Sequence, residues 1–282
     1  MFKILFLFIL LFATLEAKLN ILDVYEYKAG DVGELSALAY DGKILYSISD
    51  YGELHHFSLN LKNNKIKSIK LIKSYKLKNK FLQRLKKRKR DAEGLVYKDN
   101  NLYISFEEKP RIEKYSIYGE KIKKIKIPKI LRNIDNYKSK NTALESLAYS
   151  DIYGFVTAPE RPFENDNIHK LYTTKNKIFL FKASGYLTDL EFIDKYNILA
   201  LERKWNPFTR HLMSFIKKVN LKDCENHICK SEVLKIIDSK KDNFEDNYEG
   251  LTKVKNNLFL MVSDDNNSPL QKTYFVLFKL SI

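Results

Sequence analysis

Two short apolar runs, joined by a turn and bounded by acids, recur five times along the chain. This pattern constrains the fold more than any other feature. The units read "GELSALAYDGKILYSISD" (33–50), "RDAEGLVYKDNNLYISFEEKPRIEKY" (90–115), "ALESLAYSDIYGFVTAPE" (143–160), "LTDLEFIDKYNILALER" (187–203) and "YEGLTKVKNNLFLMVSDD" (248–265). The opening acids are Glu34, Glu93, Glu145, Asp189 and Glu249, and the closing acids are Asp50, Glu107, Glu160, Glu202 and Asp264. Opening and closing acids lie roughly 15 residues apart, and successive units begin roughly 44 to 60 residues apart. A repeat of that length, made of short strands, predicts a propeller or a similar array.

Further strand-like segments follow the paired runs: "ELHHFSLNL", "RIEKYSIYG", "SFIKKVNL" and "TYFVLFKLSI". Each unit is therefore expected to hold about four antiparallel strands, giving an all-β propeller. Five blades are visible, and the wide intervals before Glu93 and Glu249 leave room for a sixth. The early segment "NILDVYEYKAG" is expected to pair with the C-terminal strand, tying the chain ends together and removing an exposed edge. In "ELHHF", strand alternation predicts one imidazole outward and one inward.

If the acid-bearing ends occupy equivalent places, the carboxylates gather around an axis. Like charges so placed repel and raise one another's pKa values, so they need compensation. A hard cation such as calcium, which takes oxygen ligands from several directions, would supply it. Arginines are the alternative: Arg161 and Arg203 directly follow closing acids, and Arg111 lies four residues after Glu107. A third use of such acids is structural, accepting hydrogen bonds from backbone amides of a neighbouring unit.

The opening "MFKILFLFILLFATLEA" places a lysine before an apolar run and a small residue at a cleavage point, which is the pattern of a signal peptide over 1–17. Residues 18–282 are then expected to form a single domain, secreted or periplasmic and monomeric. In an oxidising compartment Cys224 and Cys229 would form a disulfide. A metal site recruiting His227 between them would be one ligand short. The net charge of +15 is mostly lysine, and its densest tract is "QRLKKRKRD" (83–91). That balance favours anionic partners: a small anion, an envelope component, or a membrane surface touched through 84–90. Nucleic acid is not expected of a secreted chain. The chain has no G-x-S-x-G elbow, no H-E-x-x-H helix and no phosphate-binding glycine loop, which disfavours the chemistries built on them.

The segments "RDAEGL", "ISFEEKPRIEKY", "GYLTDLEFIDKYNILALERKWNPF" and "DNYEGLTKVKNNLFLMVSDDNNSPLQKTYFVLFKL" resemble the esterase-like phytase family, over most of the chain from about Gly33 onward. The resemblance implies hydrolysis of phosphoesters or carboxylic esters at a channel mouth, with metal ions orienting phosphate and activating water. Carried onto this sequence, the catalytic candidates are Glu93, Glu145, Glu249, Arg111 and Arg203. The metal candidates are Glu34, Asp50, Glu93, Glu107, Glu145, Glu160, Glu202, Glu249 and Asp264, with Asp91, Asp189 and Asp265 behind them. Arg161 joins the arginines as a clamp for an anion. A propeller also serves as a pure binding scaffold, so a non-catalytic protein that recognises an anionic ligand, a glycan or a protein stands beside the hydrolase.

Overall fold

A computed structural model describes residues 18–163 and 168–281. The expected signal peptide over 1–17 lies outside the described residues. Among the described residues, twenty strands and three short 3-10 turns (Lys87–Lys89, Lys129–Arg132, Ile134–Asn136) make an all-β structure. No helix among the described residues is long and apolar enough to cross a membrane.

The strands form consecutive four-stranded antiparallel meanders. The first is β2 (Leu35–Tyr40), β3 (Ile44–Ser49), β4 (Glu53–Lys62) and β5 (Lys65–Lys76). The second is β6 (Ala92–Lys98), β7 (Asn101–Phe106), β8 (Arg111–Ser116) and β9 (Lys121–Ile125). The third is β10 (Ala148–Ser150), β11 (Gly154–Thr157), β12 (His169–Thr173) and β13 (Ile178–Phe181). The fourth is β14 (Tyr186–Phe192), β15 (Asn197–Asn206), β16 (His211–Glu225) and β17 (Ile228–Asp238). These two merge into one eight-stranded sheet through a single parallel pair, Leu180 with Ile228, between their outer strands. The last meander is β18 (Asn247–Lys255), β19 (Leu258–Asp264) and β20 (Tyr274–Ser281), completed by β1 (Lys18–Glu26). β1 pairs antiparallel with β20 from Lys18↔Ser281 to Glu26↔Tyr274, so the two ends of the chain share a sheet, as the sequence predicts. The wide interval before Glu249 is filled by the long β16–β17 hairpin. The one before Glu93 is filled by the β4–β5 hairpin and a connection over 77–91.

Burial explains the sequence pattern strand by strand. The second strands, such as "NLYISF" and "LFLMVSD", are buried on both faces and therefore read as unbroken apolar runs. The fourth strands "KIKSIKLIKSYK" and "KIKKI" are largely exposed and carry the lysines. Between the second and fourth strands, β4 buries both His55 and His56, contrary to the alternation expected of them, because each face of β4 is covered. His55 pairs with the Ser74 hydroxyl at 2.8 Å and His56 with the Ile117 carbonyl at 2.7 Å; burial lowers both imidazole pKa values, His55 to about 4. The two-residue turns carry Asn63–Asn64, Asp99–Asn100 and Asn226–His227, all at positive φ, the conformation that tight hairpins need.

The hydrophobic core is divided between the units. One buried cluster joins β2–β4 to β6–β8 through Ile48, Leu54 and Phe106. Others join the second unit to the third (Ile112, Leu144, Phe155), the third to the fourth (Val156, Leu190, Ile198), the fourth to the fifth (Leu201, Phe259) and the fifth to the first (Phe57, Phe275). Each fully buried side chain of this size contributes roughly 1.5–3 kcal/mol. The first strands β2, β6, β10, β14 and β18 touch in a closed cycle, each against the next and β18 against β2. Two glycines permit that approach. A Cβ on Gly94 would lie 2.7 Å from the Leu147 amide nitrogen, and one on Gly250 would lie 2.9 Å from the Ala37 backbone. The Glu-Gly dipeptides of the repeat thus combine an inward acid with a residue small enough for the next unit to pack against.

Candidate acidic centre

Strand register gives the acids their places. In every unit the first two strands pair at one equivalent position: Leu35↔Ser49, Ala92↔Phe106, Leu144↔Pro159, Leu187↔Glu202 and Tyr248↔Ser263. The next residue on the first strand is a bulge in the units where the pairing is continuous: Ser36, Glu93, Thr188 and Glu249. In the third unit Glu145 holds that place. The extra residue pushed out by a bulge re-aims its side chain, here toward the cycle of first strands. The next residue on the second strand is Asp50, Glu107, Glu160, Arg203 or Asp264. One step before the pairing position stand Glu34, Asp91, Ala143, Tyr186 and Asn247.

The structure therefore gathers Glu34, Asp50, Asp91, Glu93, Glu107, Glu145, Glu160, Glu249 and Asp264 at one end of the cycle of first strands. Among these acids the register places a single cation, Arg203. The sequence pattern aligned Glu202 with the closing acids, whereas the register gives that position to Arg203. Glu202 faces elsewhere: Lys217 lies 3.2 Å from it, and the Ser184 and Gly185 amides, the latter at 3.1 Å, donate to it. Asp189 and Asp265 both accept hydrogen bonds from backbone amides. Asp189 accepts from the Leu251 amide in the adjacent unit at 2.7 Å, and Asp265 accepts from the Glu34 amide at 3.1 Å. Arg111 does not face the acids at the centre; it lies 3.1 Å from Glu113 and stacks on Phe106. Arg161 lies 3.2 Å from Glu160 and stacks on Tyr186. Arg203 reaches Glu249 at 3.0 Å and Glu160 at 3.3 Å, tying the third unit to the fifth.

The guanidiniums of Arg203 and Arg161 are few for this many acids, and burial with mutual repulsion raises the proton affinity of several of them. Burial, then the charge of Glu249, pushes Asp50 up to about 8. Burial likewise brings Glu107 and Asp264 up to about 9 and holds Glu93 and Glu145 well above the usual carboxylate range. Burial also raises Glu34, Asp91 and Glu249. Glu107 interacts with both Glu145 and Asp91, and the Ala143 amide donates to it at 3.3 Å. Ser36 donates to Asp50, and the Asn247 amide donates to Glu249 at 2.7 Å and Asp264 at 3.4 Å. Oxygens of Asp50, Asp91 and Glu93 all lie within 4.8 Å of one another. That spacing and all-oxygen donor set fit a hard divalent cation, whose bonds to oxygen run about 2.3–2.6 Å for calcium.

A pocket of about 700 Å³ opens beside the cluster. It reaches the centre through Glu160, Arg203 and Asn247, and Arg161, Trp205 and Arg210 line its outer part. The residues that sequence reasoning missed are Ser36, Thr188 and Asn247, at ring positions where the repeat lacks an acid, and Trp205 and Arg210 at the pocket. Only the bulge, invisible to a count of alternating residues, would have brought Ser36 and Thr188 into phase.

Fold and centre together define an all-β repeat protein whose units converge on a cluster of buried and half-buried acids. The model of the phytase-like family, described as esterase-like activity of phytase, matches residues 30–267, and the chain belongs to that family. No curated protein matches the chain.

Proposed function

We propose that this protein is a secreted or periplasmic hydrolase of the phosphoesterase type, built as a five-bladed propeller, that works on an anionic substrate at the acidic centre. The five core clusters and the closed cycle of first strands support the blade count. The paired cysteines, joined in the structure as Cys224–Cys229, are in keeping with an oxidising compartment.

The observation that carries the reading is the polarity of the site. Asp50, Asp91 and Glu93, on the first and second units, form the pole suited to a cation. Arg203, Arg161 and Arg210 form the opposite pole, beside the pocket. A divalent cation, calcium by its taste for carboxylate oxygen, would be held by Asp50, Asp91 and Glu93 with Glu34 and Asp264 nearby, and would supply Lewis acidity and a lowered pKa for water. The chain's own groups do the rest. Arg161 and Arg210 draw a phosphate to the mouth, since guanidinium edges match phosphate oxygens. The stacking of Arg161 on Tyr186 fixes the plane of its guanidinium. Arg203 is locked by Glu160 and Glu249, so its contribution is a fixed positive field rather than a mobile clamp. Glu145 and Glu249 lie between the poles, where they set the proton balance around the reacting anion.

That locking of Arg203 also favours a second reading, in which the ring is structural and the pocket only binds an anionic ligand. Hydrolysis of an aryl phosphate and an aryl ester, each with calcium and with chelator, separates the two. Turnover of the phosphate that needs calcium and disappears in Glu93→Gln is the expected result. A calcium-dependent melting temperature with no turnover of either compound gives the site to the binding protein.

A further inference from the structure

The two most exposed large hydrophobic side chains among the described residues are Phe208, at 96 %, and Leu270, at 92 %. Leu270 lines the pocket beside the acidic centre, and Phe208 lies in the turn between the pocket-lining Trp205 and Arg210. Phe208 tips the turn between β15 and β16, directly after the strand end that bears Arg203, and is held by the side chain of Asn206, which accepts its amide at 3.0 Å. Leu270 lies in the loop that follows Asp264 and lines the pocket with Trp205 and Arg210. Next in exposure come Phe81, at 70 %, and Leu82, in the 77–91 connection that leads into Asp91 and Glu93. Single exposed apolar residues are ordinary on a protein surface. Four on three connections at one end of the sheets, and the four most exposed of all, are a pattern.

The same end carries unpaired positive charge. Lys86, Lys87, Arg88 and Lys89 are exposed and have no ion-pair partner among the described residues, and Arg210 has none either. The basic connection and the Leu270 loop are physically joined. Arg90 sits over the Tyr51 ring at 5.2 Å, and the Asn267 side-chain amide donates to the Tyr51 hydroxyl at 2.8 Å.

We propose that this end of the protein docks on an anionic lipid bilayer, with Phe208 and Leu270 entering the interface and the 86–89 tract and Arg210 meeting headgroup phosphates. Apolar prongs give depth and cations give selectivity for anionic headgroups, the two signals that together make peripheral attachment stable. Docked in this way, the pocket opens toward the headgroup layer rather than toward bulk water. The proposal concerns binding alone and does not depend on catalysis.

The test is sedimentation of the full chain with phosphatidylcholine vesicles, with and without phosphatidylglycerol. The emission of Trp205, the only tryptophan in the sequence, is followed at the same time. Phosphatidylglycerol is expected to raise the bound fraction in a salt-sensitive way and to shift Trp205 emission to the blue. The double variant Phe208→Ser/Leu270→Ser is expected to lose about tenfold or more of that added partitioning with an unchanged melting temperature. Neutralising the tract with Lys86→Gln, Lys87→Gln, Arg88→Gln and Lys89→Gln should remove the salt-sensitive part. All variants keep the same N-terminal segment, so its own lipid affinity cancels. No added binding with phosphatidylglycerol overturns the proposal. Binding that leaves Trp205 emission and the double variant unchanged also overturns it, because the contact then runs through another face.

Discussion

The guanidinium of Arg203 lies 3.0 Å from the carboxylate of Glu249, while its other nitrogen reaches Glu160 at 3.3 Å. One side chain from the fourth unit thereby spans its two neighbours and stands where the other units place an acid. It is the cation that the ring of acids carries within itself.

Replacing Arg203 by Gln should therefore be costly. It leaves Glu249 with only the Asn247 amide and Glu160 with only Arg161, and removing one partner of a fully buried pair costs about 3–5 kcal/mol, an upper bound for this half-buried one. We expect a urea midpoint lowered accordingly in chelator. The loss should shrink at acidic pH, where carboxyls are neutral. An unchanged midpoint at neutral pH would show that the tie contributes nothing.

The stability of the cation-free protein should fall as pH rises. Asp50, at about 8, and Glu107 and Asp264, at about 9, bind protons more tightly in the fold than in the unfolded chain. The folded state thus holds more protons, so the stability linked to them is complete below about pH 4. It is lost progressively as pH rises from about 4 to the folded values of about 8 to 9. Each proton held only by the fold costs about 1.4 kcal/mol per pH unit over that range. Thermal melts in chelator from pH 4 to 9 check the sign, and a protein equally stable at both ends would contradict it.

Calcium should reverse that loss by taking the place of the protons. At a concentration about one hundred times its dissociation constant, a ligand that binds only the folded state stabilises it by about 2.7 kcal/mol. Glu93→Gln should behave in two opposite ways at pH 8. Without the ion it should melt higher than the parent, because glutamine needs no proton on burial whereas Glu93 must be protonated or buried among like charges. With calcium it should gain much less. Calorimetry of both proteins decides this, and equal calcium gains would remove Glu93 from the cation pole.

Gly94→Ala and Gly250→Ala should each destabilise by about 1–3 kcal/mol, the usual cost of forcing a methyl group into a packed contact. At Gly94 the new Cβ meets Leu147 backbone, and at Gly250 it meets Ala37 backbone. Gly42, at the β2–β3 turn, has nothing within 4 Å of its Cβ direction, and there only its φ of +96° would resist alanine. If the midpoints of Gly94→Ala and Gly250→Ala match that of the parent, close approach of the first strands is not what these glycines serve.

Much of the centre was legible from residues alone. Glu93, Glu145 and Glu249 were legible because glycine or serine follows an acid at the start of an apolar run, and Asp50, Glu107, Glu160 and Asp264 because each ends one. At Glu202 and Arg203 the sequence pattern runs one residue out of step with the register. In "LER" the acid attracts notice, yet the pairing Leu187↔Glu202 gives the ring position to the arginine. Sequence proximity points Arg111 at Glu107, but on a strand the neighbour two residues on, Glu113, shares its face and takes its charge.

The sequence by itself determined that the chain is all-β, that it repeats, and that its two ends meet in one sheet. Those properties follow from local periodicity and from apolar runs that only a strand covered on both faces can bury. Tertiary structure decided which acids face one another. Bulges at Ser36, Glu93, Thr188 and Glu249 turn side chains without changing the residue pattern, and the phase of a strand pair is set by packing between units. It also decided the polarity of the site. Cation pole, guanidinium pole and the exposed Phe208 and Leu270 come from connections far apart in the chain, and only the closed cycle of first strands brings them to one end.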